Sequence, residues 1–403
     1  MLAVAHAPGG AVTLAQGAPP PTADDAQAAA IVALAREAMA AYDLKSVIVR
    51  VMIDGRGVVT EAFGESMSGV PATTEMQFRN GAVAISYMST LLLQLVDQGV
   101  VRLDDPLSTW LPDLPDADRV TLRMLADMTA GYPDHVSNPQ FNKEIYADPF
   151  RQWTPQDLIA ISLSTPRLYP PGTNWAYSHT NYVILGLALE QITGQPLATL
   201  IHDNILAPQG LNHTYSSATP AIRAPVLHAF TSERREPLGI AASTRFYEES
   251  TYWNPSWTLA AGAIETTDIY DMAASAVLIG EGTLLSPESH QAQIAPDLLG
   301  FGRPIAGCTT CHTLDAQYNY GLGVVLKGPW LIQNPLFFGY SGVMAYLPSR
   351  KIALAIATTY GEQSFDEEGN YKYGNASERI FAAIANYLAP DDPPPYPRDW
   401  RLD

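Results

Sequence analysis

Apolar residues first recur at helical spacing in Ala30, Ile31, Leu34, Ala35 and Met39, which predicts a helix over residues 24–42. The β-branched run 47–53 (VIVRVMI) follows, then the turn Asp54-Gly55-Arg56-Gly57, and apolar alternation resumes over 58–63. That order is a hairpin signal. Residues 82–98 make a long apolar run stopped by Gly99 and predict a second helix. Helical stretches separated by Pro and Gly loops continue to about residue 279. Strand patterns return over 320–327, 342–347 and 352–358, with Ser349-Arg350 turning between the last two, and 375–388 closes as a helix.

Strands at both ends with helices between them predict an α+β fold. One antiparallel sheet is expected from the N- and C-terminal segments (about 25–65 and 318–390), flanked by helices, with a helical lobe (about 66–317) inserted between. Residues 1–24 read as a leader or disordered segment, 25–390 as one domain, and 391–403 as a Pro-rich tail. No repeat or linker divides the chain further.

Composition narrows the partners. The 403 residues are 47% hydrophobic and 16% charged, enough apolar surface to fold a large core. A net charge of -18 argues against nucleic acid, which needs clustered Lys and Arg, and against acidic substrates. The acidity reads as a solvated surface. No run is long and apolar enough to span a bilayer, so no transmembrane segment is expected. Residues 1–18 are small, apolar and uncharged, like the end of a secretory signal, but lack its basic start. Export to the periplasm, envelope or medium and a cytoplasmic location both stay open.

The two cysteines lie in Cys308-Thr309-Thr310-Cys311-His312. This spacing fits a redox pair, a c-type haem attachment or half a zinc site. Haem also needs an axial ligand and a pocket, and zinc needs two more ligands with no second Cys pair present. A local disulfide, or two plain thiols, is the reading taken first. No cofactor and no metal are expected.

The sharpest segment is Phe78-Arg79-Asn80-Gly81-Ala82-Val83-Ala84-Ile85, continued by Leu91-Leu92-Leu93-Gln94-Leu95-Val96-Asp97-Gln98-Gly99 and Leu103-Asp104-Asp105-Pro106. It resembles the nucleophile segment of the serine β-lactamase, DD-peptidase and esterase family (penicillin-binding proteins and class C β-lactamase-type esterases), F-R-x-G-S-x-x-K followed by L-L-Q-L-V-x-x-G and L-D-D-P. Further segments match in order: Val120-Thr121-Leu122-Arg123-Met124-Leu125, Pro171-Gly172-Thr173-Asn174-Trp175-Ala176-Tyr177-Ser178, Asn181-Tyr182-Val183-Ile184-Leu185-Gly186, and Gly339-Tyr340-Ser341-Gly342-Val343-Met344-Ala345-Tyr346-Leu347-Pro348. The resemblance runs over about residues 26–388, and the ordered set is more specific than any one motif.

The resemblance implies acyl transfer by a serine at the start of a helix, with a lysine one turn later on the same face. Those positions here hold Ala82 and Ile85. A methyl group cannot attack a carbonyl, and an alkyl chain cannot take a proton. Tyr177 stands at the family's acid–base tyrosine, Ser178 follows it, and His179 replaces the usual Asn; Tyr177 and His179 are therefore the catalytic candidates. The third motif, a cation on the strand edging the site, falls at Gln333-Asn334-Pro335, or at Tyr340-Ser341-Gly342 in the other alignment; neither holds a cation. Ser178, Gln333, Asn334, Tyr340 and Ser341 are the expected substrate-binding residues. Ser86 is expected to point into helix packing, and His135 to be a solvated loop residue.

Three functional expectations follow. The first is a non-acylating pseudoenzyme that binds a small molecule, peptide or envelope component in the old cleft. The second is a hydrolase (esterase, amidase or β-lactamase-like) working through Tyr177 and His179 or an unusual nucleophile. The third is a protein-binding scaffold whose cleft is filled by its own aromatic side chains, Phe337 or Phe338 being the candidates.

Overall fold

The computed structural model describes residues 23–217 and 219–397. The leader up to residue 22 and the end of the tail lie outside the described residues. The first helix, Ala23–Ala41, is followed by the strands Leu44–Ile53 and Arg56–Met67. Asp54 and Gly55 join them as a two-residue loop with φ of 48° and 75°, the twist that lets so short a turn close a hairpin.

Among the described residues the main sheet has nine antiparallel strands. From one edge the order is Val70–Pro71, Arg56–Met67, Leu44–Ile53, Ile352–Tyr360, Tyr340–Leu347, Trp330–Gln333, Val325–Lys327 and Asn319–Tyr320, with Leu336–Phe337 also paired to Tyr340–Leu347. The N-terminal hairpin thus joins the C-terminal strands through Leu44–Ile53 and Ile352–Tyr360, with Val51 opposite Leu354. All nine residues of Ile352–Tyr360 are buried, so both sheet faces are covered. Alternation along Tyr340–Leu347 shows by what. The Ser341 hydroxyl meets Ser377 of the helix Ala376–Leu388, whereas Tyr346 bonds to Glu281 of the helix Ile269–Glu281. The Ile269–Glu281 helix, within the range read as lobe, therefore packs on the sheet itself.

The middle of the chain is not purely helical. Phe78–Arg79, Glu265–Thr267 and Tyr215–Ser216 pair into a small antiparallel sheet that leads into the long helix Val83–Asp97. That helix is almost wholly buried and packs against His179–Thr193. The late strands are shorter and more numerous than the apolar pattern predicts. Gly323, at φ 70°, breaks 320–327 into two, and Pro335 separates Trp330–Gln333 from Leu336–Phe337. The described part of the tail lies on the domain: the Trp330 indole donates to the Asp392 carbonyl, and Tyr396 packs on Phe381. No single helix among the described residues is long and apolar enough to cross a membrane.

Candidate functional site

A cleft of about 270 Å³ opens where the Val83–Asp97 helix begins. Gly81, Ala82 and Ile85 form one wall; Tyr177, His179, Trp257, Thr258 and Leu259 form the second. Tyr318 and the segment Asn334, Pro335, Leu336 and Phe337 close the third side.

The first wall is chemically bare. Gly81 takes φ 52°, and a Cβ there would lie 2.6 Å from Pro335 and 2.7 Å from Phe337, so this turn needs glycine. Ala82 stands at the helix N-cap with no side-chain hydrogen bond, and Ile85 is fully buried one turn on. Ser86 points away from the cleft: its hydroxyl donates to the Gly323 carbonyl at 2.9 Å and accepts from Gln333 Nε2 at 3.0 Å. Behind this wall Asn80 donates to the buried Glu265 carboxyl at 3.1 Å. Burial pushes the Glu265 pKa up to about 8, against the opposing Asn80 hydrogen bond.

The second wall is a connected polar network. The His179–Thr193 helix starts with Ser178 at its N-cap, yet the Ser178 hydroxyl makes no cap bond and is buried without a partner. Asp134, from a distant loop, supplies the cap instead. Its carboxylate accepts the His179 backbone N–H at 3.1 Å, the His179 ring Nδ1 at 3.0 Å and the Val136 N–H at 3.2 Å. An anion at a helix start is favoured by the peptide dipoles. Burial raises the Asp134 pKa, but the charge and hydrogen bond of His179 and the nearby His135 outweigh it, so the carboxyl sits below its usual range. A carboxylate can only accept, so Nδ1 of His179 is the donor, and in the neutral imidazole Nε2 is then the acceptor.

His135 is fully buried, contrary to the solvated position expected of it. Because Asp134 turns inward to cap the helix, the next residue is carried into the core. There Nε2 donates to the Trp257 carbonyl at 2.8 Å and Nδ1 faces Thr180 Oγ1 at 3.0 Å. Burial lowers its pKa to about 4, which keeps it neutral at pH 7. Tyr177 packs edge-on against His179 with ring centroids 5.1 Å apart. Burial, with Tyr318 and Asp134 close by, raises the Tyr177 pKa, so it stays a phenol.

Of the residues singled out from sequence, Ala82, Ile85, Tyr177, His179 and Asn334 meet on the cleft. Ser178, Gln333, Tyr340 and Ser341 do not line it. Gln333 is spent on Ser86 and Gly323, Tyr340 donates to the Leu227 carbonyl, and Ser341 bonds to Thr358 and Ser377. Strand alternation explains the split between Gln333 and Asn334, whose Nδ2 donates to Glu378 Oε1. Phe337 is a wall of the cleft, whereas Phe338, at φ 45° in the turn before Tyr340, packs on Trp253 and Trp257. The cleft is not plugged by either.

Cys308 and Cys311 form a disulfide, which consumes both thiols. Its loop lies on the strip that precedes His179. Cys311 bridges the Ala176 backbone, Thr310 Oγ1 donates to the Tyr177 carbonyl at 3.3 Å, and the His312 ring meets Trp175. Among the described residues one His–Asp–Asp group, His213, Asp268 and Asp271, has the spacing to hold a cation. Its atoms are used internally: Asp268 caps a helix and pairs with His213, and Asp271 accepts from the His213 N–H and Thr214.

The sheet flanked by helices with a cleft at a helix start is a β-lactamase/transpeptidase-like fold. It superimposes on D-amino acid amidase of Ochrobactrum anthropi SV3 in complex with D-phenylalanine, with TM-score 0.72 and 20% identity over 90% of this chain and 99% of that one. A D-stereospecific amidohydrolase of Streptomyces sp. gives 0.71 and 21% over 89% and 98%. The Beta-lactamase family model matches residues 31–377, and the chain belongs to that family. Penicillin-binding protein 4 of Amycolatopsis lactamdurans is 30% identical over 172 residues, 41% of this chain and 43% of that protein. Across the first curated relatives the match spans about a third to two fifths of their length, 32% to 43%.

Proposed function

We propose that this protein is a non-acylating member of the β-lactamase family that binds a small molecule, peptide or cell-envelope component in the cleft. One observation carries the reading. The two positions that the family resemblance gives to nucleophile and lysine are Ala82 and Ile85, and both line the cleft. No other hydroxyl there is a ready replacement. Thr258 is tied to the Pro255 carbonyl at 2.9 Å, Ser86 and Ser341 bond elsewhere, and Ser178 is buried. The open cleft favours a ligand over a scaffold role. The Cys308–Cys311 disulfide favours an exported protein, since such bonds persist in oxidising compartments.

The Asp134–His179 pair supports a second reading, hydrolysis by water without a covalent intermediate. A carboxylate-held imidazole lining the cleft is, in its neutral form, a competent general base. The deciding experiment is a turnover assay on p-nitrophenyl acetate and butyrate, nitrocefin and a D-Ala-D-Ala peptide, with fluorophosphonate labelling read by mass spectrometry. The expected result is neither turnover nor adduct from folded protein. Turnover that vanishes in His179→Ala or Tyr177→Phe would overturn the first reading in favour of the second.

A further inference from the structure

The lining of the cleft specifies the charge of its ligand. None of its lining side chains is Lys, Arg, Asp or Glu. Two of them, His179 and Asn334, are fixed from behind by acids. Asp134 takes the Nδ1 proton of His179, leaving Nε2 as an acceptor. Glu378 takes an amide hydrogen of Asn334, leaving Oδ1 as an acceptor. Side-chain donors are fewer on this surface, the second amide hydrogen of Asn334 among them. The Trp257 indole N–H is buried out of reach, and the Thr258 hydroxyl spends its hydrogen on Pro255. The remaining polar atoms, the Tyr177 and Tyr318 phenols, can accept as well as donate.

Around these acceptors stand the rings of Trp257, Phe337, Tyr177 and Tyr318, which attract a cation held over their faces. The nearby cations do not line the cleft: Lys327 Nζ lies over one face of the Tyr318 ring, 5.5 Å from its centroid, and Arg79 donates to the Pro220 carbonyl. The chain's net charge of -18 adds long-range attraction for a cation. An anion would meet no counter-charge among the lining side chains. Even with a proton added to His179, the Asp134 carboxylate at 3.0 Å neutralises it.

We infer that the cleft takes a ligand with a protonated amine on an apolar or aromatic body, its ammonium donating to His179 Nε2 and Asn334 Oδ1. This rests on the cleft-binding reading above and adds the chemical class.

The test is calorimetric titration of the full chain at pH 7.5 with three probes of one shape: 3-phenylpropylammonium, 3-phenylpropanamide and 3-phenylpropanoate. The ammonium is expected to bind about tenfold tighter than the anion, with the neutral amide between. His179→Ala and Asn334→Ala should each weaken the ammonium about threefold and bring it level with the amide. A carboxylate that binds as tightly as the ammonium overturns this inference and leaves cleft binding standing. An ammonium advantage that survives both variants also overturns it, because the charge is then read elsewhere. No binding by any probe up to millimolar concentration, from protein shown to be folded, sinks the cleft-binding reading together with it.

Discussion

The wall at the start of the Val83–Asp97 helix and the wall at the start of the His179–Thr193 helix face each other across one cleft, and they carry opposite chemistry. Both place a residue at a helix N-terminus, where peptide N–H groups favour negative charge. At Ala82 no side chain answers that field, and Glu265 behind the wall is an acid that burial holds protonated. At His179 the field is met by a buried, ionised carboxylate that also fixes an imidazole. Ala82 and Ile85 are ordinary packing residues, so the fold asks little of their chemistry. It cannot shed the other side so cheaply, because Asp134 caps a helix as well as holding His179.

The contrast predicts opposite pH signatures, and here the effects should be largest. Glu265 has a folded pKa of about 8 against an ordinary 4.5. The folded state keeps a proton that the unfolded chain releases, so this contribution is full below pH 4.5 and is lost as pH rises toward 8. At about 1.4 kcal/mol per pH unit the upper bound is ~5 kcal/mol. His135 has a folded pKa of about 4 against 6.5. Its contribution is full above pH 6.5 and is lost as pH falls toward 4, with an upper bound of ~3 kcal/mol. Denaturant melts across pH 4 to 9 should show Glu265→Gln gaining on the wild type as pH rises. The deficit of His135→Gln should shrink as pH falls. Curves parallel to the wild type for both variants would break the comparison.

A single substitution on each wall sharpens it. Asp134→Ala leaves the His179 and Val136 N–H groups and the His179 ring without their acceptor, a loss of about 3 kcal/mol. Ala82→Ser adds a hydroxyl to a partly exposed cap position and should change stability by less than about 0.5 kcal/mol. Urea unfolding of both variants checks this. Equal small effects would mean that Asp134 is no keystone of its wall.

These two walls were unequally legible in the sequence. The Ala82 wall is nearly contiguous, so Phe78 to Ile85 could be read as one motif with its periodicity intact. The hairpin at Asp54-Gly55 was legible for the same local reason, since two positive-φ residues suffice to define it. The second wall is assembled by packing. Asp134 lies 45 residues before His179, and nothing in either neighbourhood signals the other. His135 looked solvated because a loop rich in Gly and Pro says nothing about which way it folds. Trp257 and Tyr318 on the cleft, and Glu378 behind Asn334, come from three further segments that only the folded chain brings together. Gln333 and Asn334 are adjacent in a motif that implies ligand contact for both, yet only Asn334 reaches the cleft, because neighbouring side chains point apart.

The smallest effect tests whether the two walls are mechanically independent. The Cys308–Cys311 loop touches the second wall through the Ala176 backbone, the Tyr177 carbonyl and the Trp175 ring, and its His312 ring also meets Tyr318 on the third side. Closing so short a loop restrains the unfolded chain by only about 2 kcal/mol, so Cys308→Ser with Cys311→Ser should fold and melt slightly earlier. Its local consequence should be more telling than its global one. With the clamp loosened, the Ala176 amide, which donates to the Met128 carbonyl at 3.3 Å, should exchange faster with solvent. The amides from Val83 to Ile85, at the start of a helix that the loop does not touch, should keep their protection. Faster exchange on both walls in that variant would mean that the cleft opens as one cooperative unit, and the disulfide would then be holding the whole site and not one side of it.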